Sequence, residues 1–166
     1  MLNNLSGYDM SASQVVDKTQ DLDFVKAATL NTIAKTDIQQ SDLHGFGLFA
    51  TGTMNSEQIL YLFDGQVVSI EDYEKIENLM AQQIEPYKNY IFMECNYLNN
   101  KTLLVRNFRT KYSYINHSRT PNTEIRYHPM RLVTLSDIAI GDELTIDYRK
   151  EQLSDDYLTN PEKQFL

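Results

Sequence analysis

The sequence is short of the residues that cross-link or anchor a chain. Its 166 residues contain a single cysteine, Cys95. One cysteine excludes an intramolecular disulfide and a structural zinc site built on cysteines. Apolar runs stay well below the ~18 residues that a membrane span needs. The first residues, MLNNLSGYDM, lack the basic-then-apolar layout of a secretory signal. These absences predict an intracellular protein without membrane contact.

Positive charge is also scarce. Lysine and arginine total 15 against 23 aspartate and glutamate residues, which gives a net charge of −8. Such a charge disfavours direct contact with a nucleic-acid backbone. It favours attraction of basic protein segments, although solubility alone is an equally good reason for an acidic surface. The three histidines, His44, His117 and His128, lack the i,i+4 spacing of a helical zinc site, so we predict no metal.

The length predicts one domain, and the apolar pattern predicts a β-rich α+β fold with few helices. Residues 11–28 have helical spacing, with Ser11 and Gln14 as a capping box. A second helix begins at Ser69, with acidic residues in its first turn. Its apolar face consists of Ile70, Tyr73, Ile76, Leu79 and Met80. Short strands are predicted in TLNTIAKTDI, ILYLF continuing into DGQVVS, IFMECNYL, KTLLVRNF, TEIRYH, MRLVTLS and ELTIDY.

The glycine segment at residues 45–50, GFGLFA, has the form G-x-G-x-x-[G/A] of a dinucleotide-binding turn. That function requires the glycines to open a helix whose N-terminus meets the pyrophosphate. Thr51, Gly52 and Thr53 follow where the helix would propagate, and these residues are poor helix formers. The segment is therefore interpreted as a tight turn, either a plain connection or one whose backbone approaches a ligand.

Two further segments are unremarkable when each is taken alone. Asn116-His117-Ser118 contains a histidine near a turn, and a Ser-His-Asp triad can be drawn from it only on paper, because nothing places Ser118 on a strained elbow. GDELTIDY, residues 141–148, is a turn leading into a strand. In an extended strand Leu144, Ile146 and Tyr148 project to one side.

Taken together, these segments resemble the SET-domain protein lysine methyltransferases. The matching residues are HGFGLFA (44–50), FDG (63–65), YINHSRTPN (114–122) and GDELTIDY (141–148). The resemblance covers roughly residues 37–149, preceded by an extension at 1–36 and followed by a tail at 150–166. It implies the SET β-clip, several small sheets with a knot-like C-terminal crossing, and a helical insert at about 69–90 that shapes the substrate groove.

The resemblance also implies a chemistry, in which S-adenosyl-L-methionine is the cofactor and a lysine of a basic protein or peptide is the substrate. Tyr148 would be the catalytic residue. The cofactor-binding residues would be His44, Gly45, Phe46, Gly47, Tyr114, Asn116 and His117. The substrate channel would be lined by Phe63, Tyr114, Ile146 and Tyr148.

The chain departs from the family pattern in ways that bear on function. Arg119 stands where many relatives place a cysteine, so the zinc-bound cap of part of the family is not expected. Either Tyr157 or Phe165 in the tail would close the channel instead, or the tail is a frayed terminus. Ile146 is aliphatic and cannot hydrogen-bond a water molecule that would restrain further methyl transfer. We therefore predict that more than one methyl group is transferred to each lysine. The alternative to an enzyme is a catalytically silent SET-fold module that binds peptides. Nothing in the sequence indicates the oligomeric state.

Overall fold

The computed structural model describes residues 20–81 and 94–153, and the account below concerns these residues. Two helices, α1 (Leu22–Ala28) and α2 (Ile70–Ala81), accompany ten short strands. The strands are β1 (Thr36–Gln40), β2 (Phe46–Ala50), β3 (Ile59–Leu62), β4 (Gln66–Ser69), β5 (Glu94–Tyr97), β6 (Thr102–Arg106), β7 (Asn116–His117), β8 (Thr123–Arg126), β9 (Arg131–Thr134) and β10 (Glu143–Ile146). The predicted β-rich class is confirmed.

The strands form three small sheets. Their orders are β1-β2-β10-β7, β3-β9-β8 and β4-β6-β5. Every pairing is antiparallel except that of β10 with β7. The parallel pair is unusual because β7 is only two residues long and joins β10 through Thr145 and Ile146.

The main hydrophobic core lies against the four-stranded sheet. Ile38, Leu48 and Leu144 are register partners across β1, β2 and β10, and all three are buried. Burying an aliphatic side chain of this size contributes roughly 1.5–3 kcal/mol. From α1, Val25 joins the same core, so this helix packs on the domain. A second, smaller core contains Tyr73, Leu103 and Val105.

Strand β10 lies between two parts of the segment 116–122 and forms hydrogen bonds with both. On one side, the Ser118 amide donates to the Ile146 carbonyl (2.9 Å). On the other, the Asn122 side chain accepts from Thr145 N (2.8 Å) and donates to Glu143 O (2.8 Å). The asparagine thus replaces a strand neighbour and satisfies backbone groups that would otherwise be buried without partners. These hydrogen bonds lie where the resemblance predicts the knot-like C-terminal crossing.

Two predicted elements have different bounds from those observed. Helix α1 begins at Leu22, where Asp21 caps it by accepting from Phe24 N (3.1 Å), so the continuous helix predicted for 11–28 is wrong within the described residues. Ser11 and Gln14 lie outside them. The strand predicted from Thr29 begins only at Thr36, although Leu30 forms an isolated bridge with Thr110.

The predicted strand from ILYLF into DGQVVS is two strands in two different sheets. The chain turns at Phe63-Asp64-Gly65, where Gly65 has φ +135°. A Cβ on Gly65 would lie 2.6 Å from the Val105 carbonyl oxygen, so only glycine fits between the sheets here. Beyond the turn, Ser69 caps α2 as predicted, accepting from Asp72 N (3.1 Å).

The apolar face predicted for α2 is only partly buried. Tyr73 is buried and Ile70 half-buried, whereas Ile76 and Leu79 are 43% and 63% exposed. The helix packs on β4 and β6 through its first half. Within the described residues, no helix is both long enough and apolar enough to span a membrane.

Candidate active site

Asn116 lies at the centre of a polar cluster between β2, β7 and β10. Its amide nitrogen Nδ2 is 2.7 Å from Glu143 Oε1, 3.2 Å from Ser41 Oγ, 3.2 Å from the His44 carbonyl oxygen and 3.3 Å from the Phe46 carbonyl oxygen. We call Ser41, His44, Phe46, Asn116 and Glu143 the acceptor cluster.

The acceptor cluster has more acceptor capacity than its own donors fill. An amide nitrogen carries two N–H groups, and Asn116 Nδ2 faces four oxygen atoms. Ser41 Oγ–H donates to the Glu143 carboxylate, and it is 2.9 Å from both oxygens. Such a site suits a positively charged group with several N–H donors.

Gly47 makes room for the Glu143 carboxylate. Glu143 pairs with Phe49 in the β10–β2 register, so Gly47 is its diagonal neighbour on the same face. A Cβ built on Gly47 would lie 2.2 Å from Glu143 Oε1 and 3.0 Å from Ser41 Cβ. The second glycine of the segment is therefore required by a side chain of another strand. Phe46–Ala50 is a strand rather than the start of a helix, in agreement with the rejection of a dinucleotide-binding turn, and the predicted tight turn ends at Gly45, which has φ +50°.

His117 and Tyr148 connect the acceptor cluster to the end of β10. The Tyr148 amide donates to His117 Nδ1 (3.1 Å), and the two ring centroids are 5.4 Å apart. Burial lowers the pKa of His117, an effect that the Asp147 carboxylate opposes. The imidazole is therefore neutral at pH 7, as an Nδ1 acceptor must be. Ser118 Oγ accepts from Thr120 N (3.1 Å) and is thus engaged away from a triad.

The Tyr148 hydroxyl is fixed by the backbone. It donates to the Ile115 carbonyl oxygen at 2.7 Å. Because its proton is used in this bond, the phenol oxygen can act as an acceptor towards another N–H group. Tyr148 also begins a short 3₁₀ helix, Tyr148–Lys150, in which Glu151 N donates to Tyr148 O (3.0 Å).

Tyr148 lines a cavity of about 340 Å³, which lies between β5, residues 109–115 and residues 148–153. The volume is within the range of small-molecule sites. Its walls are largely aromatic and polar. The described residues that line it are Glu94, Cys95, Asn96, Tyr97, Arg109, Tyr112, Ser113, Ile115, Tyr148, Glu151 and Leu153.

A buried ion pair supports one wall of the cavity. Arg106 Nε is 2.6 Å from Glu94 Oε1, with both side chains about 95% buried, at 6% and 5% exposure. Arg106 also donates to the Asn96 side chain and to the Asp64 carbonyl oxygen (3.1 Å). Glu94 further accepts from Thr110 N (2.8 Å) and from the Ser113 hydroxyl. These additional bonds satisfy the remaining polar atoms, as a buried ion pair requires.

The predicted channel residues occupy different positions. Tyr148 lines the cavity. Phe63 lies behind it, its ring centroid 4.8 Å from that of the lining residue Tyr112. Tyr114 and Ile146 belong to the main core, at 7% and 1% exposure. Their roles as channel residues stay predictions. Tyr157 and Phe165 lie outside the described residues.

The predicted cofactor-binding residues converge. His44, Phe46 and Asn116 are in the acceptor cluster, Gly45 and Gly47 belong to the same turn and strand, and His117 follows Asn116 in β7. Tyr114 lies apart, its hydroxyl 3.4 Å from Thr29 Oγ1. No group of three or more His, Cys, Asp or Glu side chains within residues 20–81 and 94–153 is arranged to hold a metal.

Sequence reasoning missed four residues of the site: Ser41, Glu94, Glu143 and Glu151. Glu143 was within the quoted GDELTIDY segment, and a signal for it existed, because its side chain alternates with that of the buried Leu144. Ser41, Glu94 and Glu151 carry no signal in their local sequence. Glu94 reaches the site only through the packing of distant segments, whereas Ser41 and Glu151 lie three residues from His44 and Tyr148 and take their contacts from the fold.

Comparisons with known proteins place this geometry in a family. The model of the SET domain matches residues 45–149, which is more than half of the chain. A histone-lysine N-methyltransferase specific for lysine 36 of histone H3, from Mycosarcoma maydis, is 26% identical over 126 residues. The match covers 72% of this chain but only 13% of that relative. With the match over residues 45–149 and the three small sheets, the chain belongs to the SET-domain family.

Proposed function

We propose that this protein transfers methyl groups from S-adenosyl-L-methionine to lysine side chains of a basic protein substrate. The observation that carries the proposal is the contact between His117 and Tyr148. His117 follows Asn116 of the acceptor cluster in β7, Tyr148 lines the cavity, and the Tyr148 amide is 3.1 Å from His117 Nδ1, so this contact links the strand of the cluster to the wall of the cavity. A methyl donor on one side and a lysine on the other would be adjacent there, which is the proximity that transfer requires.

The acceptor cluster fits the amino-acid part of the cofactor. The α-ammonium group brings three N–H donors, which matches the surplus of carbonyl and carboxylate oxygens around Asn116. We infer that the cofactor is held by His44, Gly45, Phe46, Gly47, Asn116 and His117. The cofactor-binding role of Tyr114, which lies apart from them, stays a prediction. When bound, S-adenosyl-L-methionine supplies a methyl group activated by a positively charged sulfur.

The residues of the cavity prepare the lysine. A lysine with pKa ~10.4 is almost fully protonated at pH 7, and reaching the free amine costs about 4–5 kcal/mol. Aromatic walls such as Tyr112 remove water from the ammonium and so reduce this cost. The Tyr148 hydroxyl donates its proton in a hydrogen bond to the Ile115 carbonyl oxygen. Its oxygen Oη would therefore accept a hydrogen bond from an N–H of the amine and orient the nitrogen lone pair.

The substrate class follows from charge. At net −8, the protein attracts basic segments. The Mycosarcoma maydis relative is by its name specific for a histone lysine, and a histone tail is one such segment. We propose a lysine in a basic protein segment of the nucleus or cytoplasm, and from Ile146 we expect more than one methyl to be transferred.

The test is transfer of a labelled methyl group to core histones and to a lysine-containing basic peptide. Tyr148→Phe should lower transfer by about 100-fold or more, as for loss of one oriented polar group at a reacting centre. The matched control is Tyr73→Phe, a buried tyrosine of the second core that does not itself line the cavity, which should transfer normally.

Cofactor binding is measured separately, by thermal unfolding with and without S-adenosyl-L-methionine. A hundredfold excess over Kd should stabilise wild type and Tyr148→Phe alike by about 2.7 kcal/mol. Cofactor binding by the wild type without transfer to any lysine would instead support the silent peptide-binding module.

A further inference from the structure

The cavity contains two carboxylates whose surroundings differ. Glu94 is paired with Arg106 at 2.6 Å and accepts further hydrogen bonds from Thr110 and Ser113. Glu151 accepts only the Tyr127 hydroxyl, at 3.4 Å, and within the described residues no lysine, arginine or histidine forms an ion pair with it. The charge of Glu94 is balanced by Arg106, whereas Glu151 has no ion-pair partner in residues 20–81 and 94–153.

Glu151 shares the cavity with the Tyr148 hydroxyl. It follows the short helix Tyr148–Lys150, whose last turn is closed by the bond from Glu151 N to Tyr148 O (3.0 Å). Both side chains line the cavity. A cationic side chain that enters the cavity therefore meets a carboxylate that forms no ion pair with the part of the chain that the structure describes, on the turn that begins with Tyr148.

The surroundings of Glu151 favour its protonated form. Burial raises the pKa of Glu151 to about 7, the hydrogen bond from Tyr127 opposes the rise, and the negative charge of Asp147 adds to it. A base with a pKa near the working pH is well matched to accept a proton during catalysis. The other titratable groups that line the cavity are Glu94, Cys95, Tyr97, Arg109, Tyr112 and Tyr148.

We infer that Glu151 is the base that accepts the proton of the substrate lysine, an inference that rests on the proposed methyl transfer. An N–H bond of the ammonium breaks, its electron pair stays on nitrogen as the lone pair, and an O–H bond forms on the Glu151 carboxylate. An ion pair becomes two neutral groups, a change that desolvation in the cavity favours. After methyl transfer, the Glu151 carboxyl releases its proton to water before the next turnover.

The inference predicts a distinctive pH profile for kcat/KM, measured on a lysine peptide with saturating cofactor between pH 6 and 9. Wild type reacts as ionised Glu151 with protonated lysine, so its rate rises about tenfold per pH unit up to about 7 and then levels. Glu151→Gln has no carboxylate to accept the proton and reacts only with lysine that is already deprotonated, so its kcat/KM keeps rising about tenfold per pH unit to pH 9. The variant should be about 100-fold slower at pH 7 and about tenfold slower at pH 8.

A second variant moves the bend without removing the base. Tyr127→Phe deletes the hydrogen bond that opposes the rise in the Glu151 pKa. The bend of the profile should shift to higher pH, while the rate above the bend stays the same. Thermal unfolding at pH 7 shows whether each variant is folded.

A binding measurement tests the same carboxylate without transfer. Above pH 7, wild type should bind a lysine peptide at least about fivefold more tightly than the matching norleucine peptide, and Glu151→Gln should lose this preference. A bend near pH 7 that persists in folded Glu151→Gln would overturn the role of Glu151. Absence of transfer by the wild type at every pH would overturn the proposed function instead, and the peptide preference would still report on the cation site.

Discussion

The two hydrophobic cores of the molecule differ in size, because thirteen buried residues belong to the main core and three to the second core among the residues that the structure describes. In the main core, Leu48 and Leu144 are fully buried and are register partners in one sheet. In the insert, which consists of β4, α2, β5 and β6, Val67 and Leu79 are 66% and 63% exposed. The main core thus draws on several segments of the chain, whereas the insert has its own small core and a buried ion pair, Glu94 with Arg106, between its strands β5 and β6.

The difference corresponds to a division of the site. The acceptor cluster is built on β2, β7 and β10 of the four-stranded sheet. The cavity, by contrast, has one wall from β5 of the insert and the other from Tyr112–Ile115 and Tyr148–Leu153. Under the proposed function, the main core fixes the cofactor and the insert shapes the space for the substrate lysine.

The largest expected effect comes from breaking the buried ion pair in the insert. Arg106→Met leaves Glu94 charged and buried without its partner and should lower the free energy of unfolding by about 3–5 kcal/mol. Urea denaturation at pH 7 measures this change. Adding Glu94→Gln to the same chain should recover most of the loss.

The matched control is the exposed pair of Lys75 with Glu71 on α2, whose side chains are 64% and 79% exposed. Lys75→Met should change stability by no more than about 0.5 kcal/mol. A loss below about 1 kcal/mol in the free energy of unfolding for Arg106→Met would mean that the ion pair contributes little to stability.

The next effect compares one substitution in the two regions. Leu144→Ala empties a fully buried position of the main core and should cost about 2–5 kcal/mol. Leu79→Ala on α2 removes a side chain that is 63% exposed and should cost less than about 0.5 kcal/mol. Chemical denaturation of both variants is the measurement, and equal losses would contradict the contrast between the cores.

The smallest effect concerns the acceptor cluster. Gly47→Ala places a Cβ 2.2 Å from Glu143 Oε1, so the carboxylate must move away from Asn116. Affinity for S-adenosyl-L-methionine, measured by calorimetry, should fall about tenfold, or about 1.4 kcal/mol. In the control Gly52→Ala, the new Cβ meets only the flexible side chain of Lys35 at 3.0 Å, and affinity should not change.

Local signals in the sequence predicted some elements well. Ser69 caps α2, and the strands in residues 123–146 fall within the predicted runs, because caps and alternation act over a few residues. The break at Gly65 was missed, since the approach of Val105 that requires glycine comes from a strand 40 residues away. The exposure of Ile76 and Leu79 was missed for the same reason.

The sequence by itself determined the β-rich class, the second helix and the family, because periodicity, caps and motif residues are local properties of the chain. Only the tertiary structure decided which charges meet. It brought Glu143 to Asn116, paired Glu94 with Arg106 and left Glu151 in the cavity without an ion-pair partner among the described residues. Burial and distance between segments far apart in the chain set these relations, and residue order does not encode them in any short stretch.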